Sequence, residues 1–546
     1  MDAVRGLAVV LRASMALGLF VCVMLPGHAA AAQDGEDGGR TAVTRPNGEL
    51  PNRPAAAGGG EKVTVTTDVM RATFDSVGGS LVRVELLGQQ EVGDGKRSAV
   101  LLDQSAQRQY VAQSGVLVDS REMAGPNHLT QMAVAPGARE LSQGQDRLQL
   151  RFESPDAVGS GIKLVKTFSF ARGEYAIGVK HEIVNQSSLP VSPQVYLQLV
   201  RDGATPAGES RLYSTFTGPA LYTESSKYRK IDFKSIDKGA SENDTKADNG
   251  WVAMVQHYFA SAWLLGTSAD DDLRGKRTRE FFTRKVDANL YAVGMIVPLA
   301  RVAAGSSEAL EARLFVGPQE EAKLSALAPG LEQLKDYGVF AILSKPLYWV
   351  LAQMHSILGN WGWSIVGLVV LLKIAFYGLN GTAYKSMAKV SVVNPKIAEM
   401  RERLKDQPEQ IQQETMRIYR EEKITPAGGC LPILIQIPFF VAMYWVLLSS
   451  VEMRNAPWLG WITDLSAKDP LFILPLLMAG TSLAQTWLNP KPTDPTQAVM
   501  MWVVPAALSV VLFFFPAGLV LYWLTNNVLS IAQQYHVNRM MGVLHE

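Results

Sequence analysis

One lysine stands inside an otherwise apolar segment. The run Trp361–Leu379 reads WGWSIVGLVVLLKIAFYGL, and its one charge is Lys373. Lys373 lies about 12 residues, or roughly 18 Å of helix rise, from Trp361 on one side and from Lys385 on the other. If these mark the two interfaces, Lys373 falls near the midplane of a ~30 Å hydrocarbon core. A cation there costs roughly 2.5–3.5 kcal/mol, so it calls for a polar cavity. The bland alternative, snorkelling to an interface, requires a long reach. On an ideal helix Tyr377, Asn380 and Tyr384 fall within about 40° of Lys373, which makes a polar stripe. Other apolar segments add Gln436, Gln485 and Thr486, then Thr525, Asn526, Asn527 and Ser530. Each alone serves equally well as inter-helix glue. Together with a midplane cation they point to a wet groove whose candidate residues are Lys373, Tyr377, Asn380, Gln436, Tyr522, Trp523 and Asn526. Tyr522 and Trp523 are also read as packing or interface-belt residues. Such a groove solvates polar groups and performs no covalent chemistry.

Other chemistries lack a signature. The 546 residues carry 52 Lys and Arg against 51 Asp and Glu, so no bulk charge favours nucleic acid. The two cysteines, Cys22 and Cys430, are far apart, with no CxxC or Cys/His cluster for zinc or thiol redox work. No Walker A or Rossmann glycine pattern indicates a nucleotide, and no cofactor is expected. His128, His181 and His257 lack metal-ligand spacing. Scattered carboxylates give no positive support for a glycosidase pair.

The elements that must hold the groove follow from composition. Residues 1–32 read as a signal peptide or an uncleaved signal anchor: Arg5 and Arg12, the apolar run Met15–Leu25, then small residues. Residues 33–60, rich in Gly, Pro, Ala and Asp, read as a flexible tether. Residues 61–328 alternate with period two, as in Lys62–Thr66, Ser80–Glu85, Leu148–Phe152 and Tyr175–Val179, which predicts a large antiparallel β-sandwich. Residues 329–360 read as an amphipathic helix, at the membrane face or as a stem on the sandwich. Residues 361–546 read as a membrane core with spans near 361–379, 430–449, 471–488, 498–515 and 519–533. Phe515-Pro-Ala-Gly518 turns the chain between the last two.

Charge orients these spans. The stretch 383–425 holds Lys385, Lys389, Lys396, Arg401, Arg403, Lys405, Arg417, Arg420 and Lys423; the loop 452–469 holds Arg454 and Lys468 alone. The positive-inside rule puts the first stretch in the cytoplasm and the β-region on the far side. Pro395 and Pro408 each sit where a helix can begin, and Glu399 with Arg403 makes an i,i+4 pair. The stripes Ile397, Met400, Leu404 and Ile411, Thr415, Ile418, Tyr419 predict an antiparallel helical hairpin. A solvated loop without client contact is the alternative.

Several long motifs then match a family. NPKIAEMRERL (Asn394–Leu404), PAGGCLPILIQIP (Pro426–Pro438) and FPAGLVLYW (Phe515–Trp523) resemble the YidC/Oxa/Alb membrane protein insertases. KTFSFARGEY (Lys166–Tyr175) and GWVAMVQHYF (Gly250–Phe259) resemble the periplasmic domain of the Gram-negative YidC type. The resemblance implies a multi-domain inner-membrane protein: a periplasmic all-β supersandwich, then an α-helical five-span core with a cytoplasmic hairpin. Its groove would open to cytoplasm and lipid. The implied function is insertion and chaperoning of nascent membrane proteins, alone or with the Sec translocon, with the ribosome and the signal-recognition-particle receptor as further partners. The family's membrane cation, usually arginine, falls on Lys373, which keeps charge but lacks the guanidinium fork. Gly378 stands where proline is common, which implies a softer helix end. The sequence ends at Glu546 without a Lys-rich tail, which weakens the expectation of tail-mediated ribosome contact. Read from residues alone, an ion-coupled secondary transporter centred on Lys373 remains the competing function, although no internal repeat supports it.

Overall fold

The computed structural model describes residues 50, 59–91, 94–118, 125–155, 161–206, 215–239, 246–266, 268, 277–338, 340–404, 407–422, 431–489 and 495–542. The expected signal segment, nearly all of the tether, the PAGG motif and the side chain of Gln436 lie outside the described residues. Two compact units meet in the chain between Lys335 and Asp336.

Among the described residues the first unit is all-β apart from short helical turns, α1 (Phe233–Asp237), α2 (Glu321–Leu327) and a 3-10 turn at Leu331–Leu334. Its strands form two nine-stranded sheets, from Lys62–Thr66 to Ser307–Pro318, whose sequential neighbours pair antiparallel. Alternation produced this directly. In Lys62–Thr66 and Arg147–Glu153 every second side chain is buried. The Trp251–Val255 strand is buried on both faces. One apolar cluster runs between the sheets, from Phe74, Phe152 and Phe168 to Trp251 and Trp263.

Polar side chains lock the sheets across that core. Tyr110 meets Ser261 at 2.6 Å, oxygen to oxygen, and Trp263 Nε1 donates to the Gln198 carbonyl at 3.1 Å. Lys166, fully buried, donates to the carbonyls of Gly78 at 2.6 Å and Ser114 at 2.8 Å. His181 bonds the Ser114 hydroxyl at 2.8 Å. Burial lowers the Lys166 ammonium to about 7, and burial together with the Lys166 charge lowers His181 to about 3. A neutral amine has two hydrogens, and two carbonyls accept them.

The second unit is helical. It comprises α3 (Ala341–Leu358), α4 (Trp361–Ala375), α5 (Tyr377–Arg403), α6 (Pro408–Glu421), α7 (Leu431–Ser449), α8 (Ile473–Leu488), α9 (Pro495–Leu512) and α10 (Ala517–Met540). Gly359, in the left-handed region at φ 64°, ends α3 by donating to the His355 carbonyl. Asn360 then caps α4 by accepting from the Trp363 N–H at 3.1 Å. α10 packs on α4, α5 and α8, and α3 packs on α4 and α7.

Three sequence expectations need correction. The helix expected over 361–379 stops at Ala375, and α5 departs at 67° from α4. Gly378 and Gly381 weaken the start of the second helix, and the Phe376 ring seats on Phe439 at 5.0 Å between centroids. Pro395 does not begin a helix but lies inside α5. Val393 and Ile397, on either side of it, dock on Ile418 and Tyr419 of α6, and that packing holds the turn despite the lost hydrogen bond. The last helix runs past Gln533 to Met540. Other details agree: Pro408 opens α6, Glu399 pairs with Arg403 at 3.5 Å, and Lys396 reaches Glu422 at 3.1 Å. Among the described residues no single helix is long and apolar enough to cross a membrane. The bent pair α4–α5 passes that test together, and Ile437–Ser449, Ile473–Leu488 and Ala498–Leu512 are shorter apolar helices.

The buried lysine makes stability depend on pH. Between about 7 and 10.5 the unfolded chain holds a Lys166 proton that the folded chain lacks, so β-unit stability rises with pH through that window. Above about 10 the buried tyrosines reverse the trend, because burial raises Tyr110 to about 12 and unfolded tyrosines ionise first. Denaturant titrations of the full chain, followed by fluorescence of the buried tryptophans, should show this rise. Lys166→Met should flatten it while costing about 1–3 kcal/mol for two unpaired buried carbonyls.

Candidate functional site: a polar ladder on the last helix

The helical unit exposes several large apolar side chains and buries, among mainly apolar neighbours, a few polar ones. Ile342, Trp349, Ile357, Ile374, Leu476 and Trp487 are exposed, whereas Asn527, Ser530, Gln533 and Gln534 are buried. The buried four, with Asn526, recur at helical spacing along α10 and so form two adjacent rows.

One row faces α4 and α5. Lys373 Nζ donates to Ser530 Oγ at 2.7 Å, and Ser530 passes its own proton to the Asn526 carbonyl at 2.7 Å. Tyr384 of α5 lies close to Ser530. One turn further, Gln533 Nε2 donates to the Tyr377 carbonyl at 2.9 Å. The second row faces α8. Asn527 Nδ2 donates to Ser482 Oγ at 2.8 Å and, more loosely, to Thr481 at 3.4 Å. Gln534 Nε2 donates to Asn489 Oδ1 at 3.0 Å and to the Leu488 carbonyl at 3.3 Å.

The sequence-derived candidates are distributed unevenly around this ladder. Lys373, half-buried, and Asn526 meet through Ser530. Asn380 is buried on α5. The Tyr377 side chain is 53% exposed and does not continue the Lys373 stripe, because the stripe presumed one straight helix. Its backbone carbonyl is what the ladder engages. Tyr522 and Trp523 gather instead around Phe440 of α7, with ring centroids 6.0 and 4.3 Å away. Asn527, Ser530, Gln533, Gln534 and Ser482 are ladder residues that the candidate set omitted. The spacing 526, 530, 533 beside 527, 534 was the signal that could have found them.

The arrangement orients one cation by a neutral hydroxyl. Among the described residues Lys373 makes no ion pair, and no group of His, Cys, Asp and Glu could hold a metal. Its chemistry is the solvation and attraction of polar or acidic groups within an apolar body.

Known proteins resemble this chain over most of its length. Residues 62–350 match the YidC periplasmic domain, and residues 353–543 match the 60Kd inner membrane protein family. The chain is 51% identical to the membrane protein insertase YidC of Cupriavidus metallidurans over 497 residues, covering 91% of this chain and 86% of that one. It is 46% identical to that of Janthinobacterium sp. (strain Marseille), covering 93% and 92%. The chain belongs to the YidC family of membrane protein insertases. A crystal structure of an active YidC insertase aligns at TM-score 0.40 and 18% identity over 87% of this chain and 92% of that one. As a YidC-family insertase it works on nascent membrane proteins at the inner membrane, and its all-β unit is the family's periplasmic domain.

The second row carries a stability prediction. A double-mutant cycle on Asn527→Ala and Ser482→Ala, read by unfolding in detergent or bicelles, should give a coupling of about 0.6 kcal/mol, below a ceiling of about 1.7.

Proposed function

We propose that this YidC-family insertase lodges the leading polar segment of a nascent membrane protein beside Lys373 while the client's apolar segment passes into lipid. The observation that carries the proposal is a cation held within the helical unit by a hydroxyl and, among the described residues, without a neutralising carboxylate. Dragging polar backbone through hydrocarbon costs several kcal/mol per unsatisfied group, and a lined groove lowers that cost. Hydrophobic partition, with the membrane potential acting on acidic client residues, then completes transfer.

The five-span arrangement expected from the sequence is part of this proposal. The apolar helices would cross the inner membrane, with α5–α6 as a cytoplasmic hairpin and the β-unit in the periplasm. α8, at 16 residues, rises roughly 24 Å, less than a ~30 Å core. Flanking polar groups or local thinning would accommodate that difference. Lys373, Asn380, Asn526 and Gln436 would line the groove, with Tyr522 and Trp523 as its aromatic wall beside α7. Tyr377 would contribute at the cytoplasmic side of the break. The Sec translocon, the ribosome and the signal-recognition-particle receptor are proposed partners, the hairpin with its cationic residues being the surface nearest to them.

Insertion of matched clients, with and without acidic residues in the translocated tail, tests the role of Lys373. Lys373→Arg should retain activity. Lys373→Ala should lose acidic clients on the order of tenfold, the factor that about 1.4 kcal/mol of lost attraction gives. Lys373→Glu should be worse, through repulsion in a low dielectric. Ser530→Asp, which supplies the missing counter-ion, should mimic Lys373→Ala. Wild-type insertion of both clients by Lys373→Ala would sink the proposal. Deletion of 383–425 with the spans preserved should abolish insertion while the β-unit stays folded. Full activity of that deletion would remove the hairpin from the mechanism.

A further inference from the structure

We infer that Gln533 is the positioning residue that fixes the bend between α4 and α5, and so sets the direction in which the charged arm leaves the bundle. The inference rests on the groove reading above. Its geometry comes from the ladder itself. α5 begins at Tyr377, immediately after the break at Phe376, and the first carbonyl of the arm is the one to which Gln533 donates at 2.9 Å. Gln533 is buried. Three residues back, Ser530 accepts from Lys373 on α4. Both sides of a 67° break are therefore tied to one turn of one helix.

Nothing local replaces those ties. The chain around the break is Phe376-Tyr-Gly-Leu-Asn-Gly381, with two glycines and no proline to impose an angle. A Cβ at Gly378 would meet nothing within 4 Å, so no steric stop holds the arm there. A Cβ at Gly381 would come 4.0 Å from Gln533 Nε2, which puts the amide against the first turn of the arm. A break among glycines is a hinge unless neighbouring helices clamp it; the Phe376–Phe439 contact seats the break residue, and Gln533 clamps the first carbonyl of the arm. The direct consequence is that the angle of the hairpin depends on a hydrogen bond made inside the bundle, one turn from the hydroxyl that orients Lys373.

Spin labels at Val392→Cys on α5 and Leu483→Cys on α8, with Cys22 and Cys430 replaced by serine, report the arm's direction in full-length protein in liposomes. Both label sites are exposed. Gln533→Leu removes the donor at similar size, and Gln533→Glu removes it isosterically. Each should broaden and shift the inter-label distance distribution and lower client insertion several-fold. Gln533→Lys, which keeps a donor of similar reach, should restore the wild-type distribution. Gln534→Leu, which breaks the ladder on its other row, should leave the distribution unchanged. An unaltered distribution in both Gln533→Leu and Gln533→Glu overturns the inference. A shift equally large in Gln534→Leu also overturns it, by showing general loosening. A shifted arm with unimpaired insertion upholds the clamp and counts against the groove reading instead.

Discussion

A cation inside an apolar helical body must be liganded, and the ligand chosen for Lys373 organises everything around it. Ser530 can accept from Lys373 because its own proton goes to the Asn526 carbonyl one turn back. That arrangement needs a helix at Ser530 facing α4 at close range. It is continued by Gln533 on the same face and mirrored by Asn527 and Gln534 on the neighbouring face. α10 therefore acts as a polar spine between α4–α5 on one side and α8 on the other.

The two units solve opposite solvation problems. The β-unit buries its apolar side chains between sheets and tolerates Lys166, His181 and Tyr110 inside only as hydrogen-bonded locks from one sheet to the other. The helical unit buries its amides and hydroxyls and exposes Ile342, Ile374, Leu476 and Trp487. Hydrophobic burial drives the first fold. Where the surroundings are hydrocarbon it cannot drive the second, and close packing together with the amide and hydroxyl bonds across α10 would supply association.

The same contrast explains what could be read from the sequence. Strands such as Lys62–Thr66 were legible because alternation of burial is a property of adjacent residues. Lys373 was legible because a charge in an apolar run is conspicuous in one dimension. The break at Phe376 was not, since no proline marks it and the forces that set it come from residue 533, far along the chain. The Tyr377 stripe failed with the straight helix on which it relied. Pro395 misled in the opposite sense: docking of Val393 and Ile397 on α6 outweighs a local breaker. Ser530 was noted but not chosen as a candidate, and Gln533 was missed, because a single polar residue on an apolar helix is commonplace and only their partners distinguish them.

The neutrality of the Lys373 ligand has its own consequence. A carboxylate in place of Ser530 would hold the ammonium more tightly, and the pair would present little net field beyond a few ångströms. A hydroxyl orients the ammonium and leaves its charge uncancelled. Among the described residues no acidic side chain lies within ion-pair distance of it. In water such a charge is felt over a short range, worth about 1 kcal/mol at 4 Å, whereas near a low-dielectric wall the same separation is worth about 4 kcal/mol. The cost of keeping Lys373 unpaired is thus the source of its reach. On the proposed function, a transient guest bearing acidic residues would gain from that field on arrival and could leave again, the hydroxyl taking the ammonium back. Strong pairing within the bundle would give a more stable protein with nothing left to offer a client.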